Sequence, residues 1–400
     1  MNLAVLVAAL GYFVDIYDLL LFSIVRVASL KSIGVAEADL LSTGSMLISM
    51  QMGGMLVGGI LWGILGDKRG RLSVLFGSII LYSIANIANG FVHSVEMYAM
   101  LRVIAGIGLA GELGAGITLV SEVMSKEARG WGSTVVAGIG VLGAVLAAII
   151  GEIYDWRTCF FIGGAMGIAL LLLRIGVYES GMFEHVKKQN VSRGNFFKLF
   201  KQPKNTWKYF RVIGIGMPTW FVVGILITFS PEFGKVFGMT EIPQAGKAVM
   251  FSYIGLSLGD VLSGFTTYKL RSRKKAMLVF LIMTGIFIAS YFIFSPLPLG
   301  WFYVVCALLG FGTGYWAMFV TIASEQFGTN IRATVTTTVP NFVRGALVPI
   351  TALFNWWRAP LGISASALCV GALMMIIAFL SLWKMEETYG KDLHYVEDLT

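Results

Sequence analysis

Charge is what this 400-residue chain has least of: Asp, Glu, Lys and Arg make up 13% of it, against 57% hydrophobic residues. A soluble domain carries nearer a quarter charged residues. A mean hydropathy of +0.79 therefore cannot be hidden in one soluble core and has to face lipid. Histidine is equally scarce. His93, His185 and His394 all fall in loops or the tail. No Ser-His-Asp grouping, phosphate loop or metal spacing accompanies them, which argues against an enzyme, a catalytic residue, a metal and a cofactor. The three cysteines, Cys159, Cys306 and Cys369, lie in apolar segments, so neither a disulfide framework nor a metal site is expected. Nor is a cleavable signal expected: the first apolar run continues well past a signal core, with no obvious small-residue cleavage site.

What is present is a series of long apolar runs. Stretches 133–151, 159–173 and 276–294 contain no Asp, Glu, Lys or Arg. Runs near 20 residues match the hydrocarbon thickness at about 1.5 Å per helical residue. They lack the alternation of barrel strands, so helices are predicted. Twelve spans are expected near 3–26, 43–65, 72–92, 96–122, 132–152, 157–178, 210–233, 246–268, 276–295, 299–324, 333–355 and 360–383. The 48 glycines suit close helix packing in a membrane.

The net charge of +8 follows topology. With both termini cytoplasmic, 21 of the 30 Lys and Arg lie on the cytoplasmic side and six on the other. This asymmetry orients the chain in an inner (plasma) membrane, among lipid, and removes the case for nucleic acid. Oligomerisation is not implied.

The expected organisation is a six-helix unit over 1–178, a basic cytoplasmic linker over 179–209, a second six-helix unit over 210–384 and a cytoplasmic tail over 385–400. A short surface helix is expected near 196–200. The units repeat. Glu122 precedes Arg129 by seven positions and Glu325 precedes Arg332 by seven, while Gly106-Ile107-Gly108 answers Gly310-Phe311-Gly312. The four charged residues lie at cytoplasmic helix ends and read as ion pairs of a gate.

After the second span comes Gly63-Ile64-Leu65-Gly66-Asp67-Lys68-Arg69-Gly70-Arg71. It resembles the loop signature G-x-x-x-D-R/K-x-G-R of the major facilitator superfamily. In the fourth span, Arg102 through Gly106, Gly108, Gly111 and Glu112 closely resembles a signature of metabolite–proton, organic-acid–proton and phosphate–proton symporters. Ala110 replaces one Gly of that signature. Gly11-Tyr12-Phe13-Val14-Asp15-Ile16-Tyr17-Asp18 resembles the first-span motif of the aromatic-acid and phosphate symporters. Tyr178 to Phe183 resembles the segment closing the sixth span of the metabolite symporters, with Gly181 for Pro, and Arg344-Gly345-Ala346 resembles a patch near the eleventh span. The resemblance implies an all-α membrane protein of the major facilitator fold, twelve transmembrane helices in two pseudo-symmetric six-helix bundles. It also implies that Gly63, Asp67, Arg69 and Arg71 form a latch that breaks on rocking. The second-half counterpart, Gly259 to Gly264 followed by Arg271, lacks the loop acid.

The ionisable residues inside the spans also argue for themselves. Asp15 lies about 18 Å into the first helix and Asp18 one turn further. Acids at that depth face a cavity or a partner, and mutual repulsion suits one of them to exchange protons. Glu112 is too far from Arg102 to pair along one helix, so it needs another helix or a proton. Arg344, about 12 residues into the eleventh span, needs an anion, from the protein or from a substrate. Arg102 either joins it or snorkels to the surface. Asp260, Trp220, Tyr315 and Trp316 are further candidates for substrate contact, although aromatics there also serve packing.

The leading expectation is secondary active symport of a small organic anion with protons by alternating access. Asp15, Asp18 and Glu112 would couple protons, and Arg344 and Arg102 would hold the anion. A proton-coupled exporter of drugs or siderophore-like compounds is the rival. Such antiporters carry Gly-Pro in the fifth span, where Gly138 to Gly143 has no Pro. A transport-derived sensor would need a signalling domain after Lys384, for which the tail is too short.

Overall fold

The computed structural model describes residues 3–116, 129–174, 196–328 and 331–390. Every regular element among them is helical. The first half contains α1 (Leu3–Ser32), α2 (Leu40–Arg69), α3 (Arg71–Asn89), α4 (Val95–Leu109), α5 (Arg129–Ile153) and α6 (Trp156–Leu173). After a 3₁₀ turn at Phe196–Phe200 come α7 (Pro203–Phe221), α8 (Ser230–Val236), α9 (Ala245–Leu270) and α10 (Arg273–Ile293). The chain ends with α11 (Leu299–Gly312), α12 (Trp316–Gln326), α13 (Arg332–Gly345) and α14 (Leu347–Trp383).

Among the described residues, eleven stretches are long and apolar enough to cross a membrane, and the last of them, Thr334–Trp383, has 50 residues. At 1.5 Å per residue that is about 75 Å, more than twice a bilayer core. Gly362, at φ 77 and ψ 173, reverses the chain inside it, a conformation that other residues pay for in strain. The stretch is thus two antiparallel spans, which makes twelve. The reversal falls a few residues later than the sequence suggests, because Asn355 to Arg358 continues the helix.

Gly70 does the same at the loop signature. It takes φ 102 between the end of α2 and the start of α3, so the signature glycine is a backbone requirement of the turn. The 3₁₀ turn at Phe196–Phe200 is not a surface helix throughout: Phe196 and Leu199 are buried, and Phe196 packs edge-on against Phe200 and Tyr209. Aromatic burial overrides the polar context of the linker.

The internal repeat is visible in packing. A Cβ on Gly106 of α4 would strike the Gln51 carbonyl of α2, and one on Gly310 of α11 would strike the Ser252 carbonyl of α9. Gly108 abuts Tyr82 of α3 just as Gly312 abuts Thr284 of α10. The glycines that answer each other in sequence are therefore matched helix crossings, where only a missing side chain lets backbones meet. The interruptions match too: α4 breaks at Ala110–Gly111, and the tenth span at 313–315. Between halves, α13 lies along α2 and α9 along α5.

Candidate functional site

Where the halves meet, Tyr12 and Ile16 of α1 and Val141 of α5 face Thr219 and Trp220 of α7, Tyr253 and Leu256 of α9, Trp316 of α12 and Arg344 of α13. They line a small cavity that is partly open to solvent. Arg344 sits in the last turn of α13, where the carbonyl ends of the helix favour a cation. Its guanidinium carbon stands 5.8 Å from the ring centres of both Trp220 and Trp316. Its Nη1 donates to Asn341 Oδ1 at 3.4 Å. Its Nε and Nη2 have no hydrogen-bond partner among the described residues. Asp15 Oδ2 approaches Nη2 at 3.8 Å from the other half, near enough to balance charge but beyond hydrogen-bond distance. Both groups are almost completely buried.

Asp18 goes elsewhere. It is buried against α6, where a Cβ on Gly163 would meet its Oδ1, and neither of its oxygens is hydrogen-bonded among the described residues. Residues three apart point about 60° apart round a helix. That is enough to send Asp15 to the seam between halves and Asp18 into the first bundle.

Glu112 forms a buried ion pair with Arg174, whose Nη1 also donates to the Leu75 carbonyl at 3.1 Å. Gly11 of α1 packs directly on this pair, leaving no room for a side chain. Arg102 neither snorkels nor lines the cavity. It is fully buried, donates to Gln51, Asn86 and Asn89 at 3.3–3.4 Å, and lies 4.9 Å from the Phe160 ring centre. Its neighbours are neutral amides and aromatic faces, which satisfy its donors without a contacting carboxylate.

Asp260 of α9 turns toward the broken tenth span and accepts from the Ala317 amide at 2.9 Å. Tyr315 is not among the residues lining the cavity, and its hydroxyl donates to the Ile215 carbonyl at 3.1 Å. Trp220 and Trp316 form two cavity walls, with ring centres 6.4 Å apart.

Of the gate residues, Gly63 packs toward Thr338 of α13 and Arg69 is exposed. Glu325 pairs with Arg273 at 2.9 Å and accepts from the Thr388 hydroxyl at 2.7 Å. Glu122 and the side chains of Asp67, Arg71, Arg129 and Arg332 lie outside the described residues.

Several participants escaped the sequence reading. Arg174 carried a signal, an isolated cation at the end of an apolar span, but its partner was not deducible. Gln51, Asn86 and Asn89 were polar residues in apolar spans and could have been flagged. At the face opposite the basic loops, three ion pairs among the described residues join the halves: Arg26–Glu232 at 2.6 Å, Glu37–Lys235 at 2.8 Å and Glu152–Lys247 at 3.0 Å. Arg26 is fully buried and also lies 4.7 Å from the Phe229 ring centre.

Known proteins resemble this arrangement along most of its length. A probable 4-methylmuconolactone transporter of Cupriavidus pinatubonensis is 25% identical over 81% of this chain and 76% of its own. A gentisate transporter of Corynebacterium glutamicum is 24% identical over 97% and 88%. Among solved structures, the D-xylose–proton symporter aligns with a TM-score of 0.71 at 18% identity, covering 97% of this chain and 99% of its own, a likeness of fold. The family model of the Major Facilitator Superfamily matches residues 3–349. This chain, a multi-pass membrane transport protein and not an enzyme, belongs to the Major Facilitator Superfamily.

Proposed function

We propose that the protein carries a small one-ring organic acid together with a proton, binding both at the seam between its halves. The observation that carries this reading is Arg344: a buried guanidinium with two nitrogens free of hydrogen bonds among the described residues, flanked by Trp220 and Trp316 and faced by Asp15. Charge balance then couples the two solutes. With Asp15 ionised, the pair is neutral. A substrate carboxylate arriving at Arg344 leaves one net negative charge in a poorly solvated site, at a cost of several kcal/mol. A proton on Asp15 restores neutrality. The carrier therefore reorients with both solutes or with neither.

Tyr12, Trp220, Tyr253 and Trp316 give this small cavity aromatic walls. A flat ring bearing a carboxylate suits such a slot; a large multi-ring drug does not. Relatives at 24–28% identity are named for gentisate, benzoate, 3-(3-hydroxy-phenyl)propionate and niacin, which are acids of this size. In this reading, residues 1–178 and 210–384 are the two rocking bodies and both termini are cytoplasmic in the plasma membrane. Asp15 is the coupling acid. Glu112, already neutralised by Arg174, and Arg102, held by amides, keep the first body rigid.

Proteoliposomes with an alkaline interior should accumulate benzoate, gentisate or nicotinate, and a protonophore should abolish the accumulation. Exchange of cationic drugs for protons, with no acid carried, would favour the exporter instead.

A further inference from the structure

The tenth span is not one helix. α11 stops at Gly312, and residues 313–315 leave the helical path before α12 begins at Trp316. The cause is local. Thr313 turns its hydroxyl onto the Leu309 and Gly310 carbonyls, and Gly314 sits against the backbone of Gly259, with no space for a Cβ on either residue. A helix that restarts in the middle of a membrane exposes amide groups with no partner in the preceding turn. Water would satisfy them at a surface; at this depth another element must. Asp260, one residue beyond Gly259 on the neighbouring helix, supplies it, with Oδ1 accepting from the Ala317 amide at 2.9 Å.

Trp316 is the first residue after the break and stands beside Arg344 in the cavity wall. We propose that Asp260 is a positioning residue: it caps the restarted helix from α9, and in doing so fixes the Trp316 indole as the wall that presses the substrate ring against Arg344. Asp260 is not among the residues that line the cavity, and in this proposal it acts without contacting substrate. Its effect reaches the site through one amide and one indole. The inference rests on the reading of this cavity as the substrate site.

The test separates a cap from a charge and from a ligand. An Asp260→Asn side chain keeps an acceptor oxygen for the Ala317 amide, whereas Asp260→Ala keeps none. Two readouts are taken on full-length protein in nanodiscs and proteoliposomes. The first, amide exchange in the peptide spanning residues 313–320, needs no substrate: exchange should rise in Asp260→Ala and stay at the wild-type rate in Asp260→Asn. The second is transport of whichever of benzoate, gentisate and nicotinate the wild type carries. KM should rise about fivefold in Asp260→Ala, the size of a lost helix cap. Maximal rate should change less than twofold, and Asp260→Asn should restore KM with an unshifted pH profile. Combining Asp260→Ala with Trp316→Phe should add little to either alone. If Asp260→Asn proved as defective as Asp260→Ala, or shifted the pH profile, the cap would be the wrong account. Faster exchange with an unchanged KM would reduce Asp260 to a structural role and overturn the positioning claim. Should Asp260→Ala not reach the membrane, the exchange rate, KM and pH profile of Asp260→Asn decide alone. A wild type that carries no acid, with the exchange result as expected, would count against the proposed function and not against the cap.

Discussion

A guanidinium removed from water carries an energetic cost that only an anion repays in full. Arg344 meets one carboxylate at 3.8 Å and keeps two nitrogens without hydrogen bonds among the described residues, so its environment is incomplete in a way that a second carboxylate would complete. Arg102 and Arg174 show the contrast: amides surround the first and Glu112 engages the second. Arg344→Gln should therefore weaken substrate binding about hundredfold, the equivalent of roughly 3 kcal/mol lost when one member of a buried charged contact is truncated. Arg344→Lys should recover part of this, since an ammonium keeps the charge but not the planar fork. Equilibrium binding to purified protein measures both; equal affinity in Arg344→Gln and wild type would remove Arg344 from the site. Arg344, Arg102 and Glu112 were legible in the sequence because each interrupts an apolar run. Their partners were not. Glu112 and Arg174 are 62 positions apart, and nothing in composition says that one neutralises the other.

Helix crossings carry the architecture at the next scale. α2 meets α4 and α9 meets α11 at glycines, because association in lipid rests on close backbone packing more than on expelling water. Gly106→Ala would push a methyl group into the Gln51 carbonyl, a backbone atom that cannot step aside. Gly138→Ala, on α5, meets nothing within 4 Å. Thermal unfolding in detergent should show Gly106→Ala destabilised by about 1–3 kcal/mol and Gly138→Ala unchanged or slightly stabilised. Equal behaviour of the two would mean that the crossing tolerates separation. The glycine repeat announced a duplicated unit, and the crossings explain its spacing. The interruptions of the fourth and tenth spans were harder to read, since Ala110 and Thr313 are ordinary helix residues and the breaks depend on what packs beside them.

Across the whole molecule, the halves are tied at two levels. Arg26–Glu232, with its buried guanidinium, and the more exposed Glu37–Lys235 and Glu152–Lys247 pairs join them at the face opposite the basic loops. The exposed pairs contribute little each, whereas removing either partner of Arg26–Glu232 would leave a charge unpaired in a largely buried place. Asp15 and Arg344 join the halves again at the cavity. Sequence reading reached the twelve spans and the acids within them, but not which charges face each other across the seam, because that seam exists only once both units have folded. The account depends on Asp15 linking proton to substrate through Arg344. Asp15→Asn removes the proton and keeps the shape, so one protein preparation can be measured in two modes: substrate exchange at equal pH, and accumulation driven by an imposed pH gradient. Asp15→Asn should exchange benzoate, gentisate or nicotinate as the wild type does while losing gradient-driven accumulation. Full accumulation by Asp15→Asn would contradict the coupling.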